Sequence, residues 1–381
     1  MSKKVIHQLS LSDIGGVQRS FNLFLPYAIK KSKFRHYIYS MHDLMDHFTD
    51  SKNFYYNINK SFLNKIKFVF FLFSKNYIIH FYNNLGSGSI NKLLSLIPSS
   101  NIMFHERGTA WNAKEKDIET YKKNASKAKI IIANSNATKT LLVKRFGIDE
   151  NKIYVIYNGF FLSNYNFIPK NNKRYSEKLS IGYVGRLDTP KAVHVLIGAA
   201  KELPEYDFFI AGKGVLENKL KDLAKNFKNI NFLGSIKEPL ELISKMDIMV
   251  VPSIREPFGN VIVEAGFCKK AVIASNIDGI PEIINNGING ILINPDKELS
   301  LNEMLNDALP IPDVVVNPKT NELQKPKEIN PSKLRDCIDE LALDHDLRKR
   351  YGENLYNSVK KKYNIENYQK EIEIIYQKFY E

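Results

Sequence analysis

Two doubly wound α/β domains are the fold class this chain predicts, on three observations. Short β-branched or aromatic runs alternate with stretches of helical spacing, a grammar that builds parallel sheets with helices on both faces. The alternation runs twice, and a polar, aperiodic stretch separates the two runs. The chain has 381 residues, enough for two or three domains at roughly 150 residues each.

In the first run, strands are expected over KVIHQLS (4–10), HYIYSM (36–41), NYIIHFYN (76–83), NIMFHE (101–106), AKIIIANS (128–135) and KIYVIYN (152–158). VQRSFNLFLPYAIK (17–30) and SNATKTLLVKRF (135–146) have helical spacing. The stretch from 164 to 178, NYNFIPKNNKRYSEK, has no apolar period and contains a proline, which reads as a linker. In the second run, strands fall on LSIGYVG, DFFIAG, INFLG, DIMVVPS, AVIAS and GILIN, with helices such as HVLIGAAKEL, LENKLKDLAKNF and PLELISKM between them. PIPDVVVNPKTNELQKPKEINP (310–331) is an irregular insert in which VVVN and ELQ suit a small hairpin. The tail from 353 to 381 reads as helical. The expected division is a Rossmann-like domain over 1–165, a linker over 166–178, a second Rossmann-like domain over 179–362, and a C-terminal helix over 363–381 that returns to the first domain. Ligands of such sheets sit at the carboxyl ends of the strands, so a cleft between the domains is expected, with each contributing one side.

Composition narrows the function. Hydrophobic residues make up 44% and charged residues 25%, which excludes a disordered or collagen-like chain. Two cysteines, Cys268 and Cys337, make no disulfide framework and no zinc-site spacing, which fits a reducing compartment. The N-terminal residues lack a signal-peptide apolar core, and KFVFFLF (67–73) is too short to span a bilayer. A cytoplasmic location is expected.

The net charge of +14 is lopsided. Residues 1–170 hold 25 Lys and Arg against 10 Asp and Glu, while the rest is almost neutral, and residues 51–100 contain no acid. One surface therefore favours an anionic partner, either a nucleic acid or a membrane.

Four motifs carry candidate chemistry. The DIGGVQR loop (13–19) follows the first strand; Gly15 and Gly16 either let a ligand approach the backbone or only tighten a turn. In FHERGTAW (104–111), His105, Glu106 and Arg107 end a strand at the ligand edge, and His105 either meets a substrate hydroxyl or caps the strand. In GYVGRLDTPK (182–191), Arg186 and Lys191 bracket a loop, as fixed cations for a diphosphate or as solvated surface charges. In SIREPFGNVIVEAGF (253–267), Glu256 and Glu264 are separated by seven residues, among them Phe258, Gly259 and Asn260, whose amides open a helix. Glu264 suits the helix dipole or a ribose, and Glu256 in the loop can reach a sugar hydroxyl. DGIPEIINNGINGILIN (278–294) reads as a βαβ turn pattern and no more.

With these residues in view, the chain resembles the retaining glycosyltransferases of family four, of the bacterial cell-surface polysaccharide and lipopolysaccharide type, which have the GT-B fold. The most specific part is 247–293, with the Glu-x7-Glu pair; GGVQR, VIYNG (155–159), GRL with Lys191, and IAGKG (210–214) add to it. The resemblance implies that Gly16 approaches the donor diphosphate and that His105 contacts the donor sugar. Arg186 and Lys191 would neutralise the leaving diphosphate. Glu256 would bind the sugar, Glu264 the ribose, and the amides of Phe258, Gly259 and Asn260 sugar and phosphate. It implies a uridine or guanosine diphosphate sugar as donor, no cofactor and no metal. The first domain would then bind a glycan or glycolipid acceptor. Residues 59–77, mixing Lys with Phe and Leu, suit a helix docked on an anionic inner leaflet or, equally, a core helix with solvated lysines. Ala192 departs from the glycine usual after the lysine, and the insert at 310–331 is unusual for the family and has no role read for it. A basic-surface nucleic-acid-binding protein is the alternative, but no RNP, KH or zinc-finger pattern supports it. A phosphorylase or synthase on the same fold and a non-catalytic scaffold rank below both.

Overall fold

The computed structural model describes residues 3–12, 16–97, 101–161, 175–299 and 311–380. The chain divides into two compact units, Met1–Phe161 with Tyr363–Glu381, and Leu162–Lys362. Each is an α/β unit around a parallel sheet, the predicted class.

In the first unit the elements run β1 (Lys4–Gln8), α1 (Gly16–Lys31), β2 (Arg35–Ser40), β3 (Tyr55–Asn57), α2 (Phe62–Phe73), β4 (Tyr77–Tyr82), α3 (Gly88–Ser95), β5 (Ile102–Glu106), α4 (Ile118–Lys127), β6 (Ile130–Ala133), α5 (Asn136–Phe146) and β7 (Ile153–Val155). The sheet order is β3-β2-β1-β4-β5-β6-β7, with every described pairing parallel. Strands covered on both faces must be apolar along their length, and Val5, Ile6, Ile78, Ile79, Phe81, Met103, Phe104, Ile131 and Ile132 are all buried. Helix starts follow local chemistry: the Ser135 hydroxyl accepts the Thr138 amide at the start of α5, which stops at left-handed Gly147. The short edge strand β3 has half-buried residues only, and three residues give no period to read.

In the second unit the order is β8 (Ser180–Val184), α6 (Val193–Ala200), β9 (Asp207–Ala211), α7 (Glu217–Ala224), β10 (Ile230–Gly234), α8 (Pro239–Lys245), β11 (Ile248–Val251), α9 (Asn260–Phe267), β12 (Ala271–Ser275), β13 (Ile291–Ile293), β14 (Val315–Val316), β15 (Leu323–Gln324), α10 (Pro331–Leu343) and α11 (His345–Lys362). The sheet is β10-β9-β8-β11-β12-β13, and β14 and β15 pair antiparallel as a hairpin of their own. The tail is not one helix. It breaks at Tyr363 and Asn364, where the Asn364 side chain caps α12 (Ile365–Gln377) by accepting the Asn367 amide. That last helix belongs to the first unit: Ile365, Tyr368, Ile372, Ile375 and Tyr376 pack with Val5, Phe24, Leu25 and Ile78 in its core. Most of the expected linker, 166–174, lies outside the described residues, as do Gly15 and Pro310.

Candidate active site

Sheet order places the site of the second unit. The strand order reverses between β8 and β11, and in open α/β sheets ligands bind at the carboxyl ends beside such a reversal. The loop after β8 carries Arg186 and Lys191; the loop after β11 carries Glu256.

The first of these loops is fixed by close backbone packing. A Cβ on Gly212, whose φ is +143°, would fall 1.7 Å from the Gly185 carbonyl oxygen, so only glycine lets the two chains pass. The Gly185 amide donates to Ala211 O at 3.0 Å, and the Tyr183 hydroxyl donates to Arg186 O at 2.7 Å. Lys191 ends a 3-10 turn, and Ala192 follows it at φ +50°. A left-handed residue there explains the usual glycine and costs an alanine about 1–2 kcal/mol. The two loops are then tied directly, since the Ile254 amide donates to Pro190 O at 2.9 Å.

The charged side chains pair within this frame. Lys191 Nζ lies 2.5 Å from Glu256 Oε2, which also accepts from Ser253 Oγ at 3.4 Å. Oε1 has no protein donor among the described residues. Arg186 Nε stands 2.9 Å from Asp188 Oδ2 at ion-pair range, without the alignment of a hydrogen bond; Arg186 is exposed and Asp188 buried. Arg255 is buried nearby, and burial pushes its guanidinium pKa down while Glu256 and Asp278 oppose this. Each sequence-predicted cation thus has an acid beside it. Asp188, Arg255 and Asp278 went unread, although Asp188 stands two residues after Arg186 in plain view.

Gly259, at φ +108°, caps α9, and Phe258 before it is buried. Asn260 is the first helical residue. Glu264 is the fifth and half-buried; the dipole benefit fades beyond the first turn, so the helix terminus alone does not account for it.

In the first unit Gly16 opens α1. Val17 and Gln18 after it line a cleft of about 300 Å³ with Gln8, Ser10, Tyr82 and Asn84, at the carboxyl ends of β1 and β4, where this sheet too reverses order. His105, the last but one residue of β5, is fully buried, stacked on His80 at 5.5 Å and tilted against Tyr82 at 5.4 Å. Neither ring nitrogen has a partner among the described residues. Burial, then Arg107, holds its pKa well below the usual range, so the imidazole is neutral and enclosed. Glu106 shapes the turn after it, its Oε1 accepting the amides of Gly108 at 2.9 Å and Ala110 at 3.0 Å; burial raises its pKa against those bonds. Arg107 donates to Asn158 Oδ1 at 2.6 Å.

His105 belongs to a buried cluster that the sequence reading missed. His7, His36 and His80 sit on β1, β2 and β4, all buried. His7 Nε2 is 2.9 Å from His36 Nδ1, and His7 Nδ1 is 3.1 Å from the Tyr82 hydroxyl. His80 Nδ1 meets the hydroxyls of Tyr376 at 2.9 Å and Tyr82 at 3.2 Å.

Comparisons with known proteins agree with this geometry. Residues 164–312 match the model for glycosyl transferases group 1, and residues 78–163 the model for glycosyltransferase family 4. An uncharacterized glycosyltransferase of Methanocaldococcus jannaschii is 26% identical over 66% of this chain and 59% of its own length. The capsular polysaccharide biosynthesis glycosyltransferase CapM of Staphylococcus aureus is 28% identical over 43% of this chain and 47% of its own. The chain thus spans about half the length of the curated relatives it matches. Among solved structures, a glycosyltransferase from Rickettsia africae superimposes with a TM-score of 0.76 at 22% identity, covering 100% of both chains. HepE of Anabaena, solved in complex with UDP, superimposes with a TM-score of 0.73 at 20% identity over 99% of this chain and 100% of that one. The two family models abut and together cover 78–312, which holds His105 and the site loops of the second unit, and the chain belongs to the family-four type of glycosyltransferases with the GT-B fold.

Proposed function

We propose that the protein transfers a sugar, with retention, from a nucleoside diphosphate sugar to a hydroxyl of a membrane-anchored glycan, in the assembly of a cell-surface polysaccharide or lipopolysaccharide. The observation that carries this is the Lys191–Glu256 pair at the β8/β11 reversal, beside Arg186 and the α9 N-terminus. Relatives include a capsular polysaccharide glycosyltransferase, and neighbours of the same fold were solved with UDP and UDP-glucose, which favours a uridine nucleotide here.

Each residue then has a task. Arg186 and Lys191 offset the charge that grows on the departing diphosphate, the electrostatic work a metal does elsewhere. Lys191 also holds Glu256 in place, leaving Oε1 for a sugar hydroxyl. Amides at 258–260 meet the phosphate or sugar, and Glu264 the ribose. His105, neutral and enclosed, supports the β5 end against the donor sugar, and Gly16 leaves room for the diphosphate. The acceptor oxygen bonds to the anomeric carbon as the bond from that carbon to the phosphate oxygen breaks. The acceptor proton passes to the departing phosphate on the same face. This reading assigns no task to a metal ion or a cofactor.

The helix α2 supports a membrane-borne acceptor on the inner leaflet. Phe68 and Leu72 bury one face, with Phe71 against Tyr77 at 4.4 Å. Half a turn away lie Phe62, Ile66, Val69, Phe70 and Phe73, all exposed. At 100° per residue, the exposed Lys65 and Lys67 fall on the two borders of that stripe. An apolar face bordered by cations is the pattern of an interfacial helix. No helix among the described residues is long and apolar enough to cross a membrane.

Thermal-shift measurement against uridine and guanosine diphosphates and their sugars tests the donor, since a ligand bound to the native state raises the melting temperature. Stabilisation by one nucleotide series supports the reading. No shift with any of them, together with no radiolabelled sugar transfer to membranes, refutes it.

A further inference from the structure

The insert that the sequence left without a role holds both loops of the candidate site. Asp278, on the loop after β12, has φ +46° and is buried. Aspartate tolerates that conformation better than most residues, at a cost that its surroundings must offset. Its carboxylate does this: Oδ2 accepts the Glu256 amide at 3.0 Å, and Oδ1 accepts the Val316 amide at 2.7 Å. The Asp278 amide in turn donates to Val316 O at 3.1 Å, and Gly279 N donates to Glu256 O at 3.1 Å. One side chain therefore joins the backbone of Glu256 to strand β14 of the insert.

The other arm of the insert is anchored as firmly. Glu328, fully buried, takes His194 Nε2 at 2.7 Å and Lys297 Nζ at 3.0 Å. Its backbone exchanges two hydrogen bonds with Lys297, at 2.9 and 3.0 Å. His194 is the second residue of α6 and stands three residues after Lys191. A buried carboxylate with two such partners is costly to leave unmatched, so the attachment is specific.

We infer that the insert is a strap that fixes Glu256 relative to Lys191, through Asp278 at one end and Glu328 at the other, and so sets how tightly the donor sugar is held. The inference rests on the donor reading above. Asp278 and Glu328 are positioning residues, since neither has a place on the reacting groups.

The test uses the full chain with Asp278→Gly, Asp278→Asn and Glu328→Gln. Glycine accepts φ +46° without strain but removes both acceptors; asparagine keeps one of them. Expected for Asp278→Gly is a rise of tenfold or more in KM for the sugar nucleotide, with kcat within threefold and the Kd for the bare nucleoside diphosphate within twofold. Asp278→Asn should recover part of the loss. Hydrogen exchange of amides 254–258 should speed up about tenfold in both Asp278→Gly and Glu328→Gln. If Asp278→Gly does not fold, the two conservative variants carry the test alone. Unchanged exchange at 254–258 overturns the strap, and faster exchange with an unchanged KM overturns its role in donor binding. A wild-type chain that transfers no sugar from any nucleotide sugar refutes the function proposed above, and exchange then decides the strap by itself.

Discussion

Lys191 and Glu256 meet at 2.5 Å across the point where the second sheet reverses its strand order. Their side chains are 21% and 10% exposed, so the pair is drier than a surface salt bridge. Such a pair does more to hold geometry than to add stability.

Glu256→Gln keeps the shape and removes the charge. Turnover should fall by about 100-fold or more, the usual loss when a preorganised electrostatic partner goes. Stability should drop by only about 1–2 kcal/mol, from a lysine left half-matched. Steady-state kinetics and a denaturant melt separate the two; wild-type turnover would remove Glu256 from the site.

The buried histidines give the first unit an acid weakness. Burial lowers the pKa of His36 to about 4, and those of His7, His80 and His105 well below 6.5. Depressed folded-state values mean that the unfolded chain binds more protons below pH 6.5. Stability is therefore full above pH 6.5 and lost as pH falls toward 4, by about 1.4 kcal/mol per pH unit for each histidine inside its window. The raised carboxyl of Glu106 opposes this in part. Melting temperature measured from pH 7.5 to 5 should fall, and His36→Phe should flatten the slope; a flat wild-type profile would contradict the cluster.

Ile66→Glu with Phe70→Glu should abolish flotation with anionic liposomes while leaving the far-ultraviolet circular dichroism and the melting temperature unchanged, since both side chains are exposed. Flotation equal to wild type would show that α2 does not dock. Wild-type flotation that ignores anionic lipid would take the lysines out of the account.

Gly279→Ala would put a Cβ 2.2 Å from the Pro257 carbonyl oxygen, against backbone that cannot turn aside. The loop carrying Glu256 must shift, so activity should fall at least tenfold with a stability loss of about 1–3 kcal/mol. A variant with both unchanged would show that loop to be pliant.

Strands were the most legible part of the chain, because doubly covered strands such as IIIA in β6 and IMVV in β11 are apolar runs bounded by turn residues. The hairpin of the insert was legible from its turn residues. The loops holding Arg186, Lys191, Glu256 and Asn260 could be found because they follow such strands directly. What stayed hidden depends on distant partners. Asp278 reads as half of an Asp-Gly turn until Val316, 38 residues on, supplies its second amide. The four histidines lie on separate strands, and only the parallel register, such as His7 opposite His80, brings them together. A separate C-terminal helix from 363 is expected from the sequence, but the Asn364 cap that parts it from α11 is not, because the pattern on either side is equally helical.

The placement of α12 also sets the order in which the molecule can be built. The first unit's core lacks Ile365, Ile372 and Tyr376 until the residues that follow the second unit have been made, whereas the second unit is one contiguous stretch. Synthesis from the N-terminus normally completes the leading domain first. Here the second unit has all of its residues before the first does, so the leading domain is the last to have a complete core.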